Sequence, residues 1–302
     1  MFNFILQDFI MKKNYLYAFL TVSVWSTTAA ISKLLLLDIP TLETLAISGF
    51  LAFLFLFIKN IKTGNIKKMK NFSLKDYSII SGLGFLGLFL YSALYYYGLT
   101  ELSSQKACIL HYLWPIMIVV FSSIILKEKI TILKAAAMLS SFLGIIILSA
   151  ESSFSPSESS FWGIISCIAA AACYGLFSVL NKRFDYDQSI AMMIFWLVTA
   201  VCSAVLGFFT EEWVLVSVPQ WLGFLWLGIV INAIAYLLWA LAIKGSEDTS
   251  KTANLAYLVP FLSLLVSAVL LKEQIELRSL VALVFIVGGI LFREFYEKIK
   301  SK

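Results

Sequence analysis

Charge is what this 302-residue chain has least of: 14% of its residues are Asp, Glu, Lys or Arg, against about 25% in soluble globular domains. Histidine occurs once and proline five times. The four cysteines, Cys108, Cys167, Cys173 and Cys202, lie in apolar runs without C-x-x-C spacing or a clustered histidine, so neither a zinc site nor a disulfide framework is indicated. They read as small buried hydrophobes. No Asp, Glu or Arg occupies the middle of a long apolar run, which disfavours carboxylate-based ion coupling and leaves a phosphate-bearing ligand without its usual charged partner. A single histidine far from any carboxylate or thiol pair offers little for catalysis, so an enzyme is not expected. No cofactor or metal is called for, and the net charge of +5 carries no nucleic-acid signature.

What the chain has is apolar surface. Hydrophobic residues make up 61% of it, and the mean hydropathy is +0.91, more than a protein core needs, so lipid is the expected solvent. Ten windows free of charge cover residues 15–32, 44–58, 77–100, 107–126, 135–150, 159–181, 188–210, 213–243, 252–271 and 279–292. The second, fifth and tenth fall short of the roughly 18 residues that alone identify a membrane helix, and rest on snorkelling flanks and topology. Lys12 and Lys13 before an apolar run resemble a signal peptide, but the run is long for one and reads as an uncleaved first span. Either residues 1–11 lie in the interface as a short amphipathic helix, or Met11 is the true start.

Orientation follows from Lys and Arg. With the N-terminus cytoplasmic, only Lys33, Lys106, Lys272 and Arg278 of the 23 basic residues fall outside, while Lys59, Lys62, Lys67, Lys68, Lys70 and Lys75 share one cytoplasmic loop. Both termini are then cytoplasmic in a multi-pass cell-membrane protein. The outer stretches 151–160 and 211–220 hold no basic residue, and Trp162, Trp213 and Trp221 sit where an aromatic belt belongs.

Shifting the sequence by 145 residues pairs Tyr91 with Tyr236, Lys106 with Lys251, Tyr112 with Tyr257, Pro115 with Pro260, and Lys127-Glu128 with Lys272-Glu273. This predicts an all-α membrane protein of ten helices in two five-helix repeats, residues 1–150 and 151–302. An odd number of spans forces the copies to face opposite ways, an architecture recurrent in secondary transporters with a midplane site.

Polar and aromatic residues at helical spacing mark candidate lining faces: Trp25, Thr28, Ala29 and Ser32 in the first span, Tyr91 and Tyr95 in the third, and His111, Tyr112 and Trp114 in the fourth. The sixth adds Tyr174, Phe177, Ser178 and Asn181, the eighth Asn232, Tyr236 and Trp239, and the ninth Asn254, Tyr257 and Phe261. Together they suggest an aromatic-walled cavity for a neutral or zwitterionic metabolite; the competing role is glue between helices. Pro115 and Pro260 near mid-span are either hinges or static kinks. His111 is either a proton carrier or a neutral hydrogen-bonding group. Lys33 is expected to reach water, Asp38 or Glu43. In the fifth span, Ala137 with Ser141 and Ser140 with Gly144 suit close contact with the tenth span or between copies of a homodimer.

The segments VWSTTAAISK (24–33), YLWP (112–115), CYGLFSVLNK (173–182) and AYLVP (256–260) resemble bacterial drug/metabolite transporters of the EamA type, and among them the aromatic amino-acid exporters. The resemblance implies a ten-helix bacterial inner-membrane exporter. Its cavity would lie between the first, third, fourth, sixth, eighth and ninth helices, with Trp25, Tyr112, Trp114, Tyr174 and Asn181 on its side. The expected activity is export of aromatic or other neutral amino acids by alternating access, as uniport or exchange. Two other readings are a proton-coupled multidrug exporter using His111 and a membrane receptor or scaffold without turnover.

Overall fold

In lipid every backbone N–H and C=O must find its partner within the chain, which long apolar segments achieve as helices. The computed structural model describes residues 2–127, 132–149, 158–244 and 255–300, and no strand occurs among them. Five helices run nearly unbroken: α3 (Thr41–Lys62), α8 (Ile132–Ser149), α9 (Glu158–Asn181), α10 (Gln188–Thr210) and α14 (Leu277–Lys300).

The other segments are interrupted. A turn at Ser26 and Thr27 divides α1 (Phe2–Trp25) from α2 (Thr28–Leu36). A π-helical stretch, Phe85–Leu90, joins α4 (Leu74–Gly84) to α5 (Tyr91–Glu101), and another, Trp226–Ala235, joins α11 (Val218–Leu225) to α12 (Tyr236–Lys244). A turn at Tyr112 and Leu113 separates α6 (Ser104–His111) from α7 (Trp114–Ile125), and a 3-10 turn, Leu255–Leu258, precedes α13 (Val259–Leu270). Among the described residues, seven of the resulting stretches are long and apolar enough to cross a membrane, and Val259–Leu270 and Leu277–Gly289 are shorter apolar helices.

The breaks have chemical causes. Ser26 Oγ donates to the Ser23 carbonyl and Thr27 Oγ1 to that of Val24, both at 2.7 Å, so side chains compete for the carbonyls that would continue the helix. Pro115 and Pro260 stand in the first turn of α7 and α13. Proline fits there and cannot donate to the carbonyl four residues back. The prolines thus lie at the start of a new helix, not within a bent one.

Helix α3 packs along α10, α8 along α14, and α9 against α5 and α7. Small residues permit close approach. A Cβ at Gly144 would lie 2.9 Å from the Ala282 carbonyl oxygen, and Ser140 Oγ donates to the Phe285 carbonyl at 2.6 Å, so these two residues face α14. The side chains of Ala137 and Ser141 are outside the described residues. At Gly228 a Cβ would meet the Ser48 carbonyl at 2.7 Å; Gly228→Ala should therefore cost about 1–3 kcal/mol, read as an earlier thermal transition in detergent.

Polar clasps close the two ends. At one, Lys68 reaches Asp187 at 2.5 Å, Asp187 accepts from the backbone N–H of Ser189 and Ile190, and Lys59 donates to Ser189 Oγ. At the other, Glu211 accepts from the N–H groups of Leu42 and Glu43, and Glu43 accepts from Val214. There too, Glu273 accepts from the N–H of Ser104 at 2.8 Å, from Ser104 Oγ at 3.0 Å and from the N–H of Gln105 at 3.2 Å. Lys33 meets neither Asp38 nor Glu43: its ammonium donates to the carbonyls of Leu99 and Leu102, where the last turn of α5 leaves acceptors free. Trp162, Trp213 and Trp221 are exposed at helix ends. Lys127 and Lys272 share a positive φ, 56° and 55°, a costly conformation for lysine.

Partial burial pushes the Asp187 carboxyl up, but its hydrogen bonds with Lys68 and the Ile190 and Ser189 amides outweigh this and hold it below the usual range. A carboxyl depressed in this way stabilises the fold above its unfolded pKa and stops doing so as pH falls through the folded one. Acidifying from about pH 6 to about pH 3 should speed exchange of the Ser189 and Ile190 amides beyond the intrinsic pH effect, and Asp187→Asn should remove that excess.

Candidate functional site

Each interrupted segment brings its break to one cavity of about 120 Å³, several times the 10–15 Å³, roughly, that admits one water. Trp25 and Thr28 flank the first break; Leu88 lies in the first π stretch and Tyr91 directly after it. His111, Tyr112 and Trp114 surround the break in the fourth segment. Asn232 lies in the second π stretch with Tyr236 just beyond, and Ala256 and Val259 flank the start of α13. The continuous helices α9 and α10 contribute one residue each, Tyr174 and Trp196.

The wall is a chain of rings. Tyr91 stacks on Tyr95 with 6.2 Å between centroids and an 11° interplanar angle, and lies 5.2 Å from Tyr174. Tyr174 meets Trp114 edge-on at 5.5 Å. The His111 ring is 4.9 Å from Tyr95, and its Nε2 is 3.3 Å from the Tyr91 hydroxyl. Trp25 contacts Tyr236 at 5.2 Å and Trp239 at 5.3 Å, and the Tyr236 hydroxyl meets that of Tyr174. Such pairs fix ring orientation as well as burying area. No Asp, Glu, Lys or Arg lines the cavity among the described residues.

Tyr112 ties the two sides together. Pro260 has no N–H for the carbonyl of Ala256. The Tyr112 hydroxyl donates to that carbonyl instead, at 3.0 Å, linking the α6–α7 break to the turn before α13.

Of the residues singled out by sequence, Trp25, Thr28, Tyr91, Tyr95, His111, Tyr112, Trp114, Tyr174, Asn232 and Tyr236 line this cavity. Trp239 stands behind Trp25 and is not on the wall. Ser178 Oγ turns back to its own helix, donating to the Tyr174 carbonyl at 2.7 Å. Asn181 accepts from the Tyr186 hydroxyl at the end of α9. Phe261 is exposed, because the 3-10 turn shifts the phase of the face expected from Asn254 and Tyr257. Asn254 itself and the Tyr257 side chain lie outside the described residues. Lining residues that the polar faces did not signal include Leu88, Ser92, Tyr96, Cys108, Trp196 and Ser263.

Among relatives, the uncharacterized transporter YoaV of Bacillus subtilis is 27% identical over 286 residues, covering 90% of this chain and 93% of its own. The aromatic amino acid exporter YddG of Ancylobacter novellus is 28% identical over 212 residues, 70% of this chain and 73% of its own. A probable terminal-alkyne amino-acid exporter of Streptantibioticus cattleyicolor is 24% identical over 203 residues, 66% and 67% respectively. A protein of known crystal structure, 24% identical, shares the fold with a TM-score of 0.65 over 92% of this chain and 95% of that one. The family model described as EamA-like transporter family matches residues 12–150 and 161–293. This chain therefore belongs to the EamA-like transporter family, as a multi-pass membrane protein.

Proposed function

We propose that the protein is a secondary transporter that exports aromatic or other neutral amino acids, or similar zwitterionic metabolites, by alternating access as uniport or exchange. The observation that carries this reading is the ring-walled cavity, without a charged side chain among the described residues and met by breaks in five segments. It suits a cargo with an apolar part and no net charge. The relatives named as amino-acid exporters support the same class.

The working unit in this reading is ten spans in two inverted repeats, residues 1–150 and 151–302, with both termini in the cytoplasm of a bacterial cell. The two stretches matched by the family model, the paired positive φ of Lys127 and Lys272 and the paired π stretches support the repeat. Every end clasp joins loops that an alternating ten-span path puts on one side, which supports the topology. Pro115 and Pro260 serve as hinges at the breaks, and Asn254 and Tyr257 complete the ninth segment's share of the site.

Purified protein in liposomes loaded with unlabelled Phe, Trp, Thr or Met should accumulate the labelled amino acid by counterflow above empty controls. Tight binding without counterflow would instead mark a receptor or scaffold. For a carrier without proton coupling, His111→Gln should keep the wild-type pH profile of transport; a flattened profile would favour coupling through this residue.

A further inference from the structure

Among the described residues, eight buried side-chain polar atoms lack a well-formed hydrogen bond. Four are hydroxyls on helices, Ser32, Thr44, Ser203 and Ser263, which can turn to a carbonyl of their own helix; Ser32 also neighbours the Tyr96 hydroxyl and Ser263 the Cys108 thiol. The other four, Trp25 Nε1, His111 Nδ1, Trp196 Nε1 and Asn232 Nδ2, belong to residues that all line the cavity. Trp196 and Asn232 are more than nine-tenths buried. Buried polar groups are normally paired, and an indole N–H can only donate. What would complete this set is an acceptor.

A second feature favours the same charge sign. The 12-residue helix α13 begins at the cavity-lining Val259, so a helix N-terminus with partial positive charge meets the cavity there; α7 adds little, because α6 ends at the same turn, Pro115 has no N–H and the Ile116 N–H is taken by Leu113. A carboxylate offers acceptor sites alone and is favoured at such termini. A bare anion would lack a counter-charge in this uncharged pocket. A zwitterion brings its own, and its ammonium can meet the ring faces of Tyr91, Tyr95 and Tyr174.

We propose that the cavity recognises its substrate by the carboxylate pole, held by the neutral N–H donors of Trp25, Trp196 and Asn232 together with the N-terminus of α13. This rests on the transport reading above and assigns the part of the cargo that the site reads.

The test uses counterflow of labelled phenylalanine by the intact protein, with unlabelled phenylalanine, phenylalaninamide and phenethylamine as competitors. Removing the carboxylate should weaken competition at least about tenfold. Trp25→Phe and Trp196→Phe, which keep a ring but lose the N–H, should weaken phenylalanine by about tenfold each and leave phenethylamine unchanged. Asn232→Asp should shift the preference toward the two amines. Equal competition by the amide, or equal losses for phenylalanine and phenethylamine in the Trp→Phe variants, overturns the assignment while leaving transport standing. Absence of counterflow with every labelled amino acid overturns the transport reading and this assignment with it.

Discussion

Glu273→Ala should open the end of the protein that Glu273 closes, and labelling of Cys108 from that side should rise about tenfold or more. The carboxylate gathers two backbone N–H groups and the Ser104 hydroxyl at the start of α6, and Ser104 Oγ also meets Ser267 Oγ at 2.6 Å. Truncation leaves those amides unpaired, at about 1–3 kcal/mol for each that stays buried. The cost falls only on the closed arrangement, because an opened end lets water replace the acceptor. A few kcal/mol of differential stability is enough to shift a two-state population by orders of magnitude. Cys108 lines the cavity and is a native reporter. With the other three cysteines replaced, its reaction with a membrane-impermeant maleimide measures access. Transport should fall in parallel, since a carrier held open at one end cannot cycle. Unchanged labelling would mean that the clasp is not a gate.

Trp114→Ala and Trp25→Ala should each reduce transport by about tenfold to a hundredfold while leaving protein levels and the thermal transition near wild type. Both rings face open space on one side, so truncation enlarges a cavity already present instead of creating one in a close-packed core, where the same change costs about 3–5 kcal/mol. What is lost is the surface that the cargo would contact: Trp114 against Tyr174, and Trp25 between Tyr236 and Trp239. Counterflow rate and melting temperature, measured on the same preparation, separate the two roles. A parallel fall in both would assign these rings to packing.

The faces drawn from helical spacing succeeded next to the breaks: Tyr91 and Tyr95 share α5, and Trp25 with Thr28 and Asn232 with Tyr236 lie on either side of a break or change of helix type and still reach the wall. They failed where a local bond takes the side chain or a 3-10 turn rotates it away. The hydroxyl of Ser178 is taken by its own backbone, Asn181 is drawn to Tyr186, and Phe261 follows a 3-10 turn that rotates the later residues. Trp196 carried no signal at all, because it stands in a run of large apolar residues and reaches the wall through the packing of α10. The second span looked short because Glu43, Lys59 and Lys62 bound its uncharged stretch. In the structure these residues belong to a single helix, Thr41–Lys62, whose charged ends are held by the clasps. The interruptions were half visible: the prolines were plain, but their place in a first turn depended on the break before them.

Among the described residues no carboxylate, ammonium or guanidinium lines the cavity wall, and this has an electrical consequence. A membrane voltage works on moving charge, about 2.3 kcal/mol per elementary charge for each 100 mV. Neither this wall nor a zwitterion crossing beside it presents a net charge to that field. On the uniport reading proposed above, flux of such a cargo is electrically silent, and the ratio of its concentrations on the two sides sets the direction of travel.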